Sequence, residues 1–268
     1  MEWLHVFFLS VIQGLTEFLP VSSSAHLILP SQLLGWPDQG LAFDVGVHLG
    51  TLAAVVYYFR NDVKVMLVAA FKSVIGQQSI DSRIAWFIVV ATLPAIVSGW
   101  FLHDFIDHYA RSILVIAATT LIFGALLWYA DSGKNQQKPM SELSLKDTLI
   151  IGFSQALALI PGTSRSGVTM TAALMLGFSR AAAAKFSFFL SIPVILAAGS
   201  YKGLQLAASE IAVEWSMVMA GVLISALVAI TCIHFFLIWL DKVGMLPFVI
   251  YRFILGVVLL LIYFSSGV

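Results

Sequence analysis

The chain has 268 residues, of which 60% are hydrophobic and only 10% charged; soluble domains carry charge on about a quarter of their residues. With a mean hydropathy of +0.98, it reads as a polytopic membrane protein. Lys plus Arg and Asp plus Glu number 14 each, so no basic surface invites nucleic acid and the expected partners are those of a bilayer. The single cysteine, Cys232, sits in the apolar run Val228 to Leu240, which excludes an intrachain disulfide and a cysteine-based metal site.

In chain order, the first apolar region, 1–34, is interrupted midway by Pro20-Val21-Ser22-Ser23-Ser24. Its opening helix, Trp3 to Ile12, has no basic n-region and no small-residue cleavage site after it, so it is expected to stay in the mature chain. A first span of about 20 apolar residues follows at Leu41 to Phe59. Asp62 to Gln78, with Lys64 and Lys72 among Val, Met, Leu and Phe, reads as an interfacial amphipathic helix. Further spans are expected at Ile84 to Leu102 and Ser112 to Ala130, before a polar linker at 131–146. Thr148 to Leu176 is again interrupted, by Pro161-Gly162-Thr163-Ser164-Arg165-Ser166-Gly167, and spans at Ala181 to Ser200, Trp215 to Leu240 and Leu246 to Phe264 complete the chain. Pro94 and Pro193 fall inside spans and should kink them.

The fold class expected is therefore an all-α membrane protein with six transmembrane helices and two re-entrant helical hairpins, at 1–34 and 148–176. Arg60, Lys64, Lys72 and Arg83, then Lys134, Lys138 and Lys146, then Lys242 fall in loops on one side, which the positive-inside rule makes cytoplasmic. The opposite loops carry Asp104, Asp107 and Arg111, and Lys202, Glu210 and Glu214. Both termini then face outward. Each half, 1–130 and 147–268, holds one interrupted region and three spans. Three is odd, so the halves form an inverted repeat, and such repeats place their ligand where the two broken segments meet.

At that meeting point the residue types suit phosphate chemistry. Non-helical backbone survives at membrane depth only when buried in protein or lining a wet cavity, and an arginine there marks a functional site by default. Gly162, Thr163, Ser164, Arg165, Ser166 and Thr169 offer a guanidinium, hydroxyls and the N-H groups of a starting helix to an anion. Opposite them, Gln13 and Glu17 share a helix face, followed by Ser22, Ser23, Ser24 and His26. A carboxylate, hydroxyls and an imidazole can bind a hard divalent cation and move protons. The alternative for Arg165 is a structural ion pair with an acid elsewhere. Asp44 and His48 read equally well as supporting or as rim residues, and His5, His103, His108 and His234 as interfacial or packing residues.

Gln13-Gly-Leu-Thr-Glu-Phe-Leu-Pro-Val-Ser-Ser23 and Pro161-Gly-Thr-Ser-Arg-Ser-Gly-Val-Thr169 resemble the two signature motifs of the undecaprenyl-diphosphate phosphatase, or bacitracin-resistance, family. The likeness extends to Phe43-Asp-Val-Gly-Val-His-Leu-Gly50, Phe186-Ser-Phe-Phe-Leu-Ser-Ile-Pro193 and Pro247-Phe-Val-Ile-Tyr-Arg252. The resemblance implies an enzyme of the bacterial inner membrane. It would remove the terminal phosphate of a C55 polyprenyl diphosphate, recycle the carrier for peptidoglycan and other wall polymers, and depend on a divalent cation, Mg2+ or Ca2+. It further implies catalytic roles for Glu17, Ser23, His26 and Arg165, phosphate contacts from Thr163, Ser164, Ser166 and Thr169, to which the pattern of the breaks adds Ser22 and Gly162, and a metal or a proton held by Glu17. Gln13 stands where many members have a second glutamate, so Glu17 alone would supply that negative charge. His26, Ser23 and a metal-bound water remain open as the attacking group, as do the side the pocket faces and a homodimeric state. A secondary transporter or flippase of a phosphorylated lipid is the competing reading, and a structural scaffold ranks last because Glu, His and Arg all lie within the membrane.

Overall fold

The computed structural model describes residues 2–133, 136–209 and 212–265, apart from the side chains of His103, Asp104 and Asp107; Lys134 and Glu210, which carry part of the charge asymmetry, also lie outside the described residues. Eleven α-helices account for the described chain: α1 Trp3–Thr16, α2 Ser23–Leu34, α3 Leu41–Tyr58, α4 Arg60–Val74, α5 Ile80–Tyr109, α6 Ile113–Asp131, α7 Leu145–Ala156, α8 Arg165–Met175, α9 Arg180–Ala207, α10 Trp215–Val243 and α11 Leu246–Ser265. Six of them, α3, α5, α6, α9, α10 and α11, are long and apolar enough to cross a bilayer. Only 22% of the apolar window of α11 is buried inside the protein. Most of its hydrocarbon therefore faces outward and needs lipid as its solvent. The two interrupted regions each resolve into two helices too short to cross, and α4 is the separate helix that the Asp62 to Gln78 pattern suggests.

Close helix contacts are made where side chains are absent, the usual way to gain dispersion contacts in a bilayer. A Cβ on Gly14 of α1 would lie 2.7 Å from Val228 of α10, and one on Gly152 of α7 would lie 2.8 Å from the backbone of Ala91 in α5. The neighbours of the two halves correspond in order. α1 packs on α10 as α7 packs on α5, α3 lies on α10 as α9 lies on α5, and α3 crosses α9 while α6 pairs with α11. Likewise α8 lies on α6, and α2 meets α11 where His26 contacts Tyr251.

The segment between the halves is tied to the second one. Asp131, at the end of α6, accepts from Arg180 Nε at 2.6 Å, and the Lys138 main chain exchanges hydrogen bonds with Gly177 and Ser179, both 3.0 Å. Lys138 Nζ also lies 2.6 Å from Asp147, whose carboxylate closes the N-terminal capping box of α7 with Ser144. Burial pushes the Asp147 carboxyl up, but the Lys138 and Ser144 hydrogen bonds outweigh it and hold the group below its usual value.

Candidate active site

Both breaks end in the same backbone device. Ser22 (φ 75°) directly precedes α2 and Ser164 (φ 72°) directly precedes α8, and they are the two non-glycine residues with positive φ among those described. Such conformations cost about 1–3 kcal/mol each and persist only where surrounding contacts over-determine them. Those contacts cross from one break to the other. Gly162 N donates to Ser22 Oγ (3.2 Å), and Ser166 Oγ donates to Leu19 O (2.8 Å). Gly162 itself has φ 90°, and a Cβ there would lie 2.1 Å from Thr119 Oγ1. No residue but glycine fits.

The largest fastener is Arg252 of α11, fully buried at 0% exposure. Its guanidinium donates to Pro20 O (3.1 Å) in the first break and to Gly162 O (2.9 Å) and Thr163 O (3.1 Å) in the second, while Nε donates to Thr120 O (3.1 Å) of α6. Broken helices leave carbonyls without intrahelical donors. One arginine supplies donors for three of them and leaves its positive charge behind the breaks.

In front of the breaks lies a cavity of about 280 Å³, lined by Glu17, Ser22, Ser23, Ser24, Ser164 and Arg165, with Asp44 and His48 of α3 and Lys202 of α9 around them. Because α2 starts at Ser23 and α8 at Arg165, two helix N-termini converge on this space, that of α2 without a side-chain cap, which favours an anion. Glu17, 7% exposed, is the hub. Its Oε2 accepts from Ser23 Oγ (2.7 Å) and Gln13 Nε2 (3.0 Å), and its Oε1 accepts from Arg165 (3.2 Å). His48 Nε2 stands 3.8 Å from Glu17 Oε2, so His48 belongs to the site wall. Its Nδ1 is engaged by Asp44 O at 2.7 Å. Arg165 is steadied from behind by Ser187 O (2.9 Å).

The other expected residues separate into support and periphery. Thr169 Oγ1 lies 2.8 Å from Ser187 Oγ and holds α8 to α9. Thr163 is buried with its hydroxyl unpartnered, and Gly162, Thr163 and Ser166 serve the junction between breaks and do not line the cavity. His26 also stands apart from the lining. Its Nδ1-H donates to Ser22 O (2.6 Å), so its Nε2 accepts from Tyr251 OH. Sequence reasoning assigned no role to Arg252, although it lies in the Pro247 to Arg252 run. The available signal was a charge six residues into an apolar span, where arginine is rare unless it is partnered.

A hard cation would find oxygen donors here. Gln13 Oε1 is buried without a hydrogen-bond partner beside the Glu17 carboxylate and Ser23 Oγ. No three His, Cys, Asp or Glu side chains cluster among the described residues, so this is no closed protein cage. It fits the magnesium style of binding, with one carboxylate complemented by phosphate oxygens and water.

The model of the family described as bacitracin resistance protein BacA matches residues 6–258. The chain is similar to the undecaprenyl-diphosphatase of Chromohalobacter salexigens, 60% identical over 97% of this chain and 98% of that protein. It is also similar to those of Saccharophagus degradans, 56% identical over 96% of each chain, and Teredinibacter turnerae, 55% identical over 97% of this chain and 98% of the relative.

Proposed function

Because the chain belongs to the bacitracin resistance protein BacA family, we propose that the cavity between its two breaks is where undecaprenyl diphosphate loses its terminal phosphate. The protein is a membrane hydrolase acting on that lipid, and the product monophosphate is the carrier for peptidoglycan and other wall polymers. The observation that carries the assignment of roles is the 2.7 Å hydrogen bond from Ser23 Oγ to Glu17 Oε2 at the wall of a cavity that also holds Arg165.

Ser23 Oγ attacks the terminal phosphorus while Glu17 takes its proton, a nucleophile and base in contact. The bond from that phosphorus to the bridging oxygen breaks, and the polyprenyl monophosphate leaves with the proton from Glu17, which is again a carboxylate. A water then attacks the serine phosphate and gives a proton to Glu17, which passes it to Ser23 Oγ as the serine–phosphorus bond breaks and inorganic phosphate departs. Arg165 turns its guanidinium from Glu17 to the equatorial oxygens, aided by the N-termini of α2 and α8, where donors are already oriented for developing charge. His26 positions the Ser22 carbonyl and so the turn that carries Ser23. When bound by Glu17 and Gln13 Oε1 together with the diphosphate, Mg2+ or Ca2+ would neutralise phosphate charge.

The membrane setting follows the same reading. We place the protein in the bacterial inner membrane with both termini outside, as an inverted repeat of 1–130 and 147–268 around the 131–146 linker. The correspondence of helix neighbours between the halves supports this arrangement. It also favours lipid flipping as a companion activity. Detergent-solubilised protein separates the two, since transport does not register without compartments. Phosphate release is expected there, with a base-labile phosphate on Ser23 trapped by acid quench. Release with no phosphoserine at any quench time would assign the attack to a water on Glu17.

A further inference from the structure

A second cavity lies between α4, α5 and α9, about 350 Å³ in volume and lined among others by Ala70 and Phe71, by Ala85 and Val89, and by Ile192 and Leu196. Its lining offers hydrocarbon. The one polar side-chain atom in it, Trp86 Nε1, is already spent on Ser73 Oγ at 2.9 Å. Such a space recognises an aliphatic chain and nothing ionic.

Its position relative to the active-site cavity selects which chain. Both cavities border the same seam. α9 supplies Val194, Ile195, Ala198, Gly199 and Lys202 to the polar one, and Phe189, Ile192, Pro193 and Leu196 to the apolar one. Leu159 of the polar cavity lies 3.7 Å from where a Cβ on Gly99 of α5 would stand, so α5 and α9 flank both. From Lys202 to Phe189 the helix descends about 20 Å at 1.5 Å per residue. The lining of the polar cavity reaches from Lys202 to Val194 and that of the hydrocarbon groove from Leu196 to Phe189, so the two overlap in height within one turn of α9. A C55 tail is several times longer than the roughly 15 Å hydrocarbon depth of one leaflet. With its diphosphate held at Arg165, it must run on past the midplane or fold back.

We infer that the α4/α5/α9 groove is a binding site for the distal part of the substrate's polyprenyl tail, reached along the α5–α9 seam. The inference rests on the diphosphatase reading and deepens it: the groove gives the enzyme a preference for long chains, because a tail that ends before the groove forgoes that burial.

The test compares C55 and C15 polyprenyl diphosphates in detergent. The unmodified protein is expected to show the lower KM for C55. Filling the groove with Ala70→Phe or Ala85→Phe should raise the C55 KM by about tenfold, the equivalent of two or so buried methylenes, while C15 turnover stays within about twofold. Ala69→Phe, on the α4 face away from the groove, controls for disturbance of that helix and should leave both substrates unchanged. A C55 analogue with a photoreactive chain end should label peptides from 63–74 and 85–89. The proposal is overturned if both filling variants leave the C55 KM unchanged, if C55 and C15 are impaired in parallel, or if the label falls elsewhere. No phosphate release from either substrate by the unmodified protein would instead sink the diphosphatase reading.

Discussion

The two breaks share a plan and divide the chemistry. In each, a glycine packed tightly on a partner helix, Gly14 or Gly152, is followed three residues later by an acid or amide, Glu17 or Gln155, then by a proline and a serine of positive φ that opens the next helix. The side chains then differ. Glu17 turns to the cavity and gathers Ser23, Gln13 and Arg165, whereas Gln155 donates to Ala91 O of α5 at 3.1 Å and serves packing. The first break carries the carboxylate and a hydroxyl, and the second carries the guanidinium. A shared backbone plan thus provides two converging helix N-termini, and on the proposed mechanism the difference of a few side chains would make one of them an anion clamp and the other a proton acceptor.

Making the breaks alike is the most damaging change. Glu17→Gln gives the first break the amide already present at 155 and should cut turnover by about a thousandfold or more, as expected for loss of a general base, with expression retained and with more Mg2+ needed. Near-parental rates in a metal titration would remove Glu17 from the chemistry. Arg165→Lys keeps the charge of the second break but not its paired donors, and should cost about a hundredfold to a thousandfold in kcat/KM. A lysine variant that keeps most of its activity would reduce Arg165 to the partner of Glu17 in a structural ion pair.

Arg252→Lys loosens the joint between the breaks without touching the cavity. A lysine offers fewer directed donors to the carbonyls of Pro20, Gly162 and Thr163, so thermal stability should fall by about 1–3 kcal/mol, with kcat reduced more than KM. An unchanged Tm would show that the breaks hold each other without it. The smallest effect is expected at the foot of the second half. The Asp147 carboxyl is held below its ordinary 3.8, so the stability it contributes is complete above the unfolded value and is lost as pH falls through the folded one. Acid unfolding below about pH 4 should be shallower in Asp147→Asn, and identical curves would show that its pairing with Lys138 adds nothing.

The six spans and the two interruptions were readable because a bilayer imposes one strong rule: about 20 apolar residues per crossing, with polar backbone tolerated only where protein encloses it. The site's charged members followed from the same rule, as ionisable groups at that depth are rare without purpose. Finer assignments were not readable. Ser23 and His26 both follow Pro20 within one short polar run, yet one donates to Glu17 and the other to Ser22 O, with Tyr251 at its far nitrogen. That outcome depends on the positive φ of Ser22 and on where α11 lies.

The sequence by itself determined which segments are long and apolar enough to cross a bilayer, where the other two apolar regions break, and which chemical groups the breaks carry, because hydropathy, proline and charge act locally along the chain. Only the tertiary structure decided which of those groups face one another. His48 comes to stand beside Glu17, Arg252 crosses from the last helix to fasten both breaks, and Thr169 and Ser166 turn to packing. These pairings join residues far apart in the chain and are fixed by how close α3, α9 and α11 approach the breaks, a distance set by packing of small residues that no local pattern encodes.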